Sequence, residues 1–204
     1  HDSPDSRNRT SAQHLVNLWL PLHQITRPLT LMDGRTLDRP RHQLRYHLPV
    51  DGFLDRDDER SVNDIWLCLH DPAQQWWYRP VAGPGDAYVF DTLSTPHASF
   101  VSPGEDVAAD RYRRVGAVLE AVRADDLGWA NELAEVPALD LDPATSGALR
   151  AAIDELEAVL AAVPSAADAG ETDAWCARAE AARDAVVRCS LELRAVVTHL
   201  PAPA

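Results

Sequence analysis

The sequence predicts a mixed β and α protein: a β-sandwich or barrel in the first half, followed by a C-terminal helical hairpin. Three observations carry this. Short apolar runs punctuated by Pro, Gly and Asp fill the chain to about residue 104. Seven of the eight histidines and four of the six tryptophans fall in that same stretch. Beyond it the composition turns alanine-rich, and apolar residues recur at helical steps.

In chain order, Leu15-Val16-Asn17-Leu18-Trp19-Leu20 and Ile65-Trp66-Leu67-Cys68-Leu69-His70 read as short strands, as do Gln75-Trp76-Trp77-Tyr78 and Ala87-Tyr88-Val89-Phe90. Turn clusters at 80–85 and at Pro103-Gly104 separate them, and 51–64 reads as a charged surface loop. Short strands with turns between them suit a sandwich or barrel. A helix is expected over 111–124, where Val115, Val118, Leu119 and Val122 share one face. Leu149, Ile153, Leu156, Leu160 and Val163 then repeat at steps of four and three. Trp175, Ala179, Ala182, Val186, Cys189, Leu193, Val196 and Leu200 continue that rhythm to a stop at Pro201. Two such seams joined at 164–170 predict an antiparallel hairpin over 145–200, packed on the β half or on a second subunit as a homodimer.

Composition narrows the function. A formal charge of −13 argues against non-specific binding to nucleic acid or anionic membrane, both of which need basic surplus. All 19 basic residues are arginine. Without lysine there is no Schiff base, no lysine general base and no phosphate-loop lysine, so anionic groups fall to arginine, backbone N–H or metal. Three widely spaced cysteines fit a reduced compartment, and no apolar run is long enough to span a bilayer. Cytoplasmic location and a small-molecule substrate are the expectations.

Nucleophile-elbow, dinucleotide, phosphate-loop and zincin motifs are all missing. His42 and His47 share neither a strand face nor a helix face, and His14, His23 and His70 read as structural. His97 is different. Pro96 fixes its own φ and biases Thr95 towards an extended conformation, which holds His97 in place at a strand end. A held histidine suits the two-histidine, one-carboxylate face of a non-haem iron(II) site.

Four segments in order over 15–105 resemble the cephalosporin-methoxylase/gibberellin-desaturase-like family of iron(II)/2-oxoglutarate oxygenases. Val16-Asn17-Leu18-Trp19-Leu20-Pro21-Leu22 is similar to its VNVWRPL strand, and 27–36 to its PLAxxDxRT stretch. His70 to Tyr78 resembles YNPxHxWYY, and Thr95-Pro96-His97-Ala98-Ser99-Phe100 resembles TPHTAF. The resemblance implies a jelly-roll (double-stranded β-helix) core over 1–108, lacking its earlier part, followed by a helical region over 109–204. It implies Fe(II) as cofactor and 2-oxoglutarate as cosubstrate. His97 would be the distal ligand, and Asp2, in a fragment of the HxD pair, the carboxylate ligand, with the proximal histidine preceding His1. Trp76 and Tyr78, with Trp77, would wall the substrate pocket. Gln74 and Ser94 depart from the family, which tends to carry histidine and an acid there. The arginine that clamps 2-oxoglutarate on the family's RESIEVRA strand is expected at Arg111, with Arg113 and Arg114 as alternatives. The expected activity is hydroxylation, desaturation or cyclisation of a small secondary metabolite. The alternatives are an iron enzyme that uses no 2-oxoglutarate, or a metal-free binding or oligomerising module.

Overall fold

The computed structural model describes residues 13–49, 62–92, 94–136, 138, 140–164 and 169–198. The strands are β1 (Gln13–His23), β2 (Leu29–Met32), β3 (Gln43–Pro49), β4 (Val62–Cys68), β5 (Trp76–Tyr78), β6 (Tyr88–Asp91), β7 (His97–Ser99) and β8 (Cys189–Thr198). The helices are α1 (Arg39–His42), α2 (Glu105–Arg123), α3 (Leu127–Ala134), α4 (Gly147–Ala161) and α5 (Ala169–Asp184). All strand pairs are antiparallel, in sheets of order β6-β1-β8, β5-β2-β7 and β3-β4. Among the described residues no helix is long and apolar enough to cross a membrane.

β1 and β2 belong to different sheets, and the corner between them is tightly built. Gln24 is fully buried; its amide donates to Arg79 O at 3.0 Å and accepts from Leu29 N at 3.2 Å. Arg27 takes a left-handed φ of 48° to complete the turn. Its N–H reaches the buried carboxylate of Glu105, at the start of α2, at 2.7 Å. Gly104 before it has φ +86°, and a Cβ there would meet the Thr145 hydroxyl at 2.5 Å, so glycine is needed twice over.

The helices form their own core. α2 packs on α3, α4 and α5, with Val115, Val118, Leu156, Val159 and Ala179 completely buried. Ser146 caps α4 by accepting from Leu149 N at 3.2 Å, and Trp175 Nε1 ties α5 to α4 through Val159 O at 3.0 Å. The apolar stripes of α4 and α5 therefore pack on α2 and on each other.

The hairpin itself is shorter than its periodicity predicts. α5 ends at Asp184, and Cys189–Thr198 is a strand running along β1 from Thr198 opposite Gln13 to Cys189 opposite His23. The apparent seam positions Cys189, Leu193 and Val196 belong to β8. Ser190, Glu192 and Arg194 alternate with Leu191, Leu193 and Ala195, the two-residue period of a strand with two unlike faces. Continuous pairing with β1 outweighs a helical spacing that three residues happen to prolong. The expected loop also changes: its last residues, 62–64, are the start of β4, and the rest lies outside the described residues.

Candidate functional site

Strand register decides which side chains meet, because directly opposed residues project from the same face. Asn17 lies opposite Phe90 on one side and Arg194 on the other, and Trp19 opposite Tyr88 and Glu192. In the second sheet Leu31 lies opposite His97, and Leu29 opposite Ser99. These two faces pack on each other through a small cluster of Trp19, Leu29 and Phe90, joined by Leu31 and Tyr88. Trp19 meets Tyr88 edge-on at 5.4 Å, and the Phe90 ring lies 4.9 Å from the His97 imidazole.

Between the sheets is a cavity of about 180 Å³ whose polar lining is Asn17, His97, Ser99, Arg188, Glu192 and Arg194. Pro96 anchors the His97 end, since its carbonyl accepts from Met32 N at 2.9 Å. His97 Nδ1 lies 2.9 Å from Thr95 O. A carbonyl only accepts, so Nδ1 carries a proton, and in the neutral ring the lone pair falls on Nε2. This is the arrangement in which a ligating histidine has its tautomer fixed by a backbone carbonyl.

β8 and Arg188 just before it carry the charge. Arg188 donates to Arg27 O at 2.6 Å and lies over Trp19, 5.6 Å from its ring centre. Among the described residues no carboxylate pairs with it. Arg194 and Glu192 do pair, with Nε at 2.8 Å and Nη2 at 2.7 Å from Oε1, which also accepts from Asn17 Nδ2 at 2.7 Å. Burial pushes the Glu192 carboxyl up, but the hydrogen bonds from Arg194 and Asn17 and the charges of Arg194 and His97 hold it below its ordinary value.

The predicted site residues scatter. Asp2 lies outside the described residues. Arg111 is 1% exposed within the helical layer, paired with Asp110 at 2.9 Å and Glu157 at 2.8 Å. Arg113 donates back to Ala109 O at 3.1 Å, and Arg114 to Asp110 at 3.1 Å. None of the three lines the His97 cavity; all three lie on α2, the helix expected over 111–124.

Trp76 and Tyr78 pair in register with Met32 and Thr30, which places them on the face of their sheet opposite His97. There they line a separate cavity of about 390 Å³ with Thr30, Ala98, Ser99 and Phe100. Trp77, in register with Leu31, shares the His97 face. Three other histidines make contacts away from this cavity. His14 meets Asp91 at 2.8 Å, buried His42 meets Asp71 at 3.3 Å, and His23 bonds Ala185 O at 2.5 Å.

Asn17, Arg188, Glu192 and Arg194 escaped the sequence reading. Yet Arg188-Cys189-Ser190-Leu191-Glu192-Leu193-Arg194-Ala195 reproduces RESIEVRA at five of its eight positions. The signal was legible, but it lay inside a stretch assigned to helix. Among the described residues no three His, Cys, Asp or Glu side chains form a metal-binding group. No family model matches the chain, and no curated protein matches it.

Proposed function

We propose that this protein is a non-haem iron(II)/2-oxoglutarate-dependent oxygenase of small molecules, and that its clamp arginine is Arg188, immediately before β8. The observation that carries the reading is one cavity flanked by His97, whose Nδ1 donates to Thr95 O, and by an arginine with no acid partner among the described residues. The strand pairing supports it. A jelly roll has eight strands in two sheets, pairing third with sixth and last, and fourth with fifth and seventh. Here β1 pairs with β6 and β8, and β2 with β5 and β7, with β3-β4 as an inserted hairpin.

Of the ligands the sequence suggests, His97 lines this cavity and Asp2 lies outside the described residues. The two would hold iron(II), which when bound supplies the oxygen activation that side chains lack. Arg188 takes the far carboxylate of 2-oxoglutarate in its planar fork, and its bond to Arg27 O fixes the approach. Trp19 and Phe90, 6% and 8% exposed, keep bulk water from the cavity wall. Thr95 O holds the imidazole proton on Nδ1, so the ring does not turn when Nε2 binds.

Anaerobic iron(II) titration, followed by assay of succinate from 2-oxoglutarate, tests this. The protein is expected to bind one iron and to release succinate, and His97→Ala to lose both. Stoichiometric iron in His97→Ala would overturn the ligand assignment. Substrate oxidation that does not require 2-oxoglutarate would favour the cosubstrate-independent alternative.

A further inference from the structure

The guanidinium of Arg188 takes its bearing from a strained backbone position. Arg27, whose carbonyl it bonds, has a left-handed φ of 48°. An L-residue disfavours that region, because its Cβ crowds the carbonyl oxygen. The residue after it is Pro28, less than 2% exposed, and a proline biases the residue before it towards an extended conformation. A corner disfavoured twice persists only where its surroundings over-determine it. Here the surroundings are one carboxylate. Glu105, 6% exposed, accepts on Oε1 from Arg27 N at 2.7 Å and from Ser102 N at 2.8 Å, while its Oε2 meets Arg27 Nε at 3.2 Å. On the other side of the same residue, Arg27 O accepts from Arg188 Nη1 at 2.6 Å.

We propose that Glu105 is a positioning residue for Arg188. By gripping the Arg27 N–H it keeps residue 27 left-handed, and so keeps the Arg27 carbonyl aimed at the guanidinium that borders the His97 cavity. Ser102 N seats the same oxygen at the start of α2, so the well-packed helical layer is the frame against which the arginine is aimed. Without Glu105, residue 27 relaxes towards the extended region that Pro28 favours, its carbonyl turns, and Arg188 loses the contact that fixes its fork. The inference rests on the oxygenase reading for what Arg188 binds, but the placement is measured without turnover.

Arginine side-chain NMR of the full, iron-free chain tests this, with the Arg188 signals assigned by their loss in Arg188→Gln. The wild-type guanidinium is expected to give resolved Nη signals, because its bond to Arg27 O restricts rotation about Nε–Cζ. Glu105→Ala is expected to average them. Glu105→Gln, whose amide oxygen can accept both N–H groups, is expected to keep them. Combining Glu105→Ala with Arg27→Gly should bring the signals back, since glycine takes a positive φ unaided. A carboxylate that merely anchors α2 predicts no such rescue. With iron(II) present, the Michaelis constant for 2-oxoglutarate should follow the same order, rising roughly tenfold in Glu105→Ala at unchanged kcat and recovering in the double variant. Thermal melts check the fold. Glu105→Asp, charged but too short to reach Arg27 N, takes the place of alanine if that variant unfolds. A freely rotating wild-type Arg188, signals retained in Glu105→Ala, or signals lost there and not restored by glycine would each overturn the proposal. The expected NMR pattern in a protein that forms no succinate would sink only the oxygenase reading.

Discussion

The helical layer and the paired sheets solve the problem of burial in opposite ways. α2, α4 and α5 close on one another so that Val115, Val118, Leu156 and Val159 reach zero exposure. The sheets meet only through Trp19, Leu29, Phe90 and their neighbours, and reserve much of their inner face for Asn17, His97, Arg188, Glu192 and Arg194. The outer face of β6-β1-β8 even leaves Val89, Leu191 and Leu193 57–65% exposed. The helices thus supply apolar stability, while the sheets hold polar groups in register at some cost in packing. The two regions are joined where the β1–β2 corner grips the start of α2 and the end of α5. Thr26 donates to Val186 O at 2.6 Å, and Arg27 N to Glu105 at 2.7 Å.

The sharpest way to break the comparison is to shorten one leucine in each region. Leu156→Ala opens a cavity in a fully buried site and should cost about 2–5 kcal/mol by chemical denaturation. Leu193, 62% exposed on the outer sheet face, should tolerate alanine within about 0.5 kcal/mol. Comparable losses at both sites would mean that something covers the outer face in solution.

The next largest effect separates two arginines that sequence alone does not tell apart. Arg111→Gln breaks ion pairs to Asp110 and Glu157 from a side chain that is 1% exposed. It should destabilise the fold by about 2–3 kcal/mol, below the range for a fully buried pair because both acids reach water. Its Michaelis constant for 2-oxoglutarate should be unchanged. Arg188→Gln should do the reverse, raising that constant roughly thirtyfold or more with little change in melting temperature. If Arg111→Gln alone moves the constant, the proposed assignment of the clamp to Arg188 fails.

What the sequence disclosed follows the same divide. The runs at 15–20, 75–78 and 87–90 fall on β1, β5 and β6, and the helical periods at 111–124 and 149–163 on α2 and α4. Each of these signals is local. β8 was missed because its identity depends on β1, 175 residues away in the Asn17–Glu192 contact. Cys189, Leu193 and Val196 meanwhile prolong the spacing of α5 by coincidence. Assigning that stretch to helix removed Arg188, Glu192 and Arg194 from view. His97 was legible because Pro96 and Thr95 are its immediate neighbours. That Trp76 and Tyr78 lie on the face opposite His97 was not legible, because a strand's register, and not its composition, decides which side it shows.

The smallest effect is the pH dependence, where each region contributes one carboxylate. Burial raises Glu192 and Asp110, but hydrogen bonds from Arg194 and Asn17 in one case, and from Arg114 and Arg111 in the other, hold both below their ordinary values. A lowered folded value means that the protein binds fewer protons folded than unfolded. The stability it confers is therefore complete above the ordinary values, 4.5 for Glu and 3.8 for Asp, and is lost as pH falls through the lower folded ones. With Glu192 39% and Asp110 28% exposed, solvent screening keeps each share within about 1 kcal/mol. Melting temperatures followed downward from about pH 6 should be flat at first and fall below about pH 4.5. Asp110→Asn should flatten that fall, because the ion pairs it abolishes knit α2 to itself. Glu192→Gln should flatten it less, since the released Arg194 faces the cavity and can be solvated there. A steeper acid slope in either variant would show that the carboxylate is strained by its burial and not stabilised by its partners.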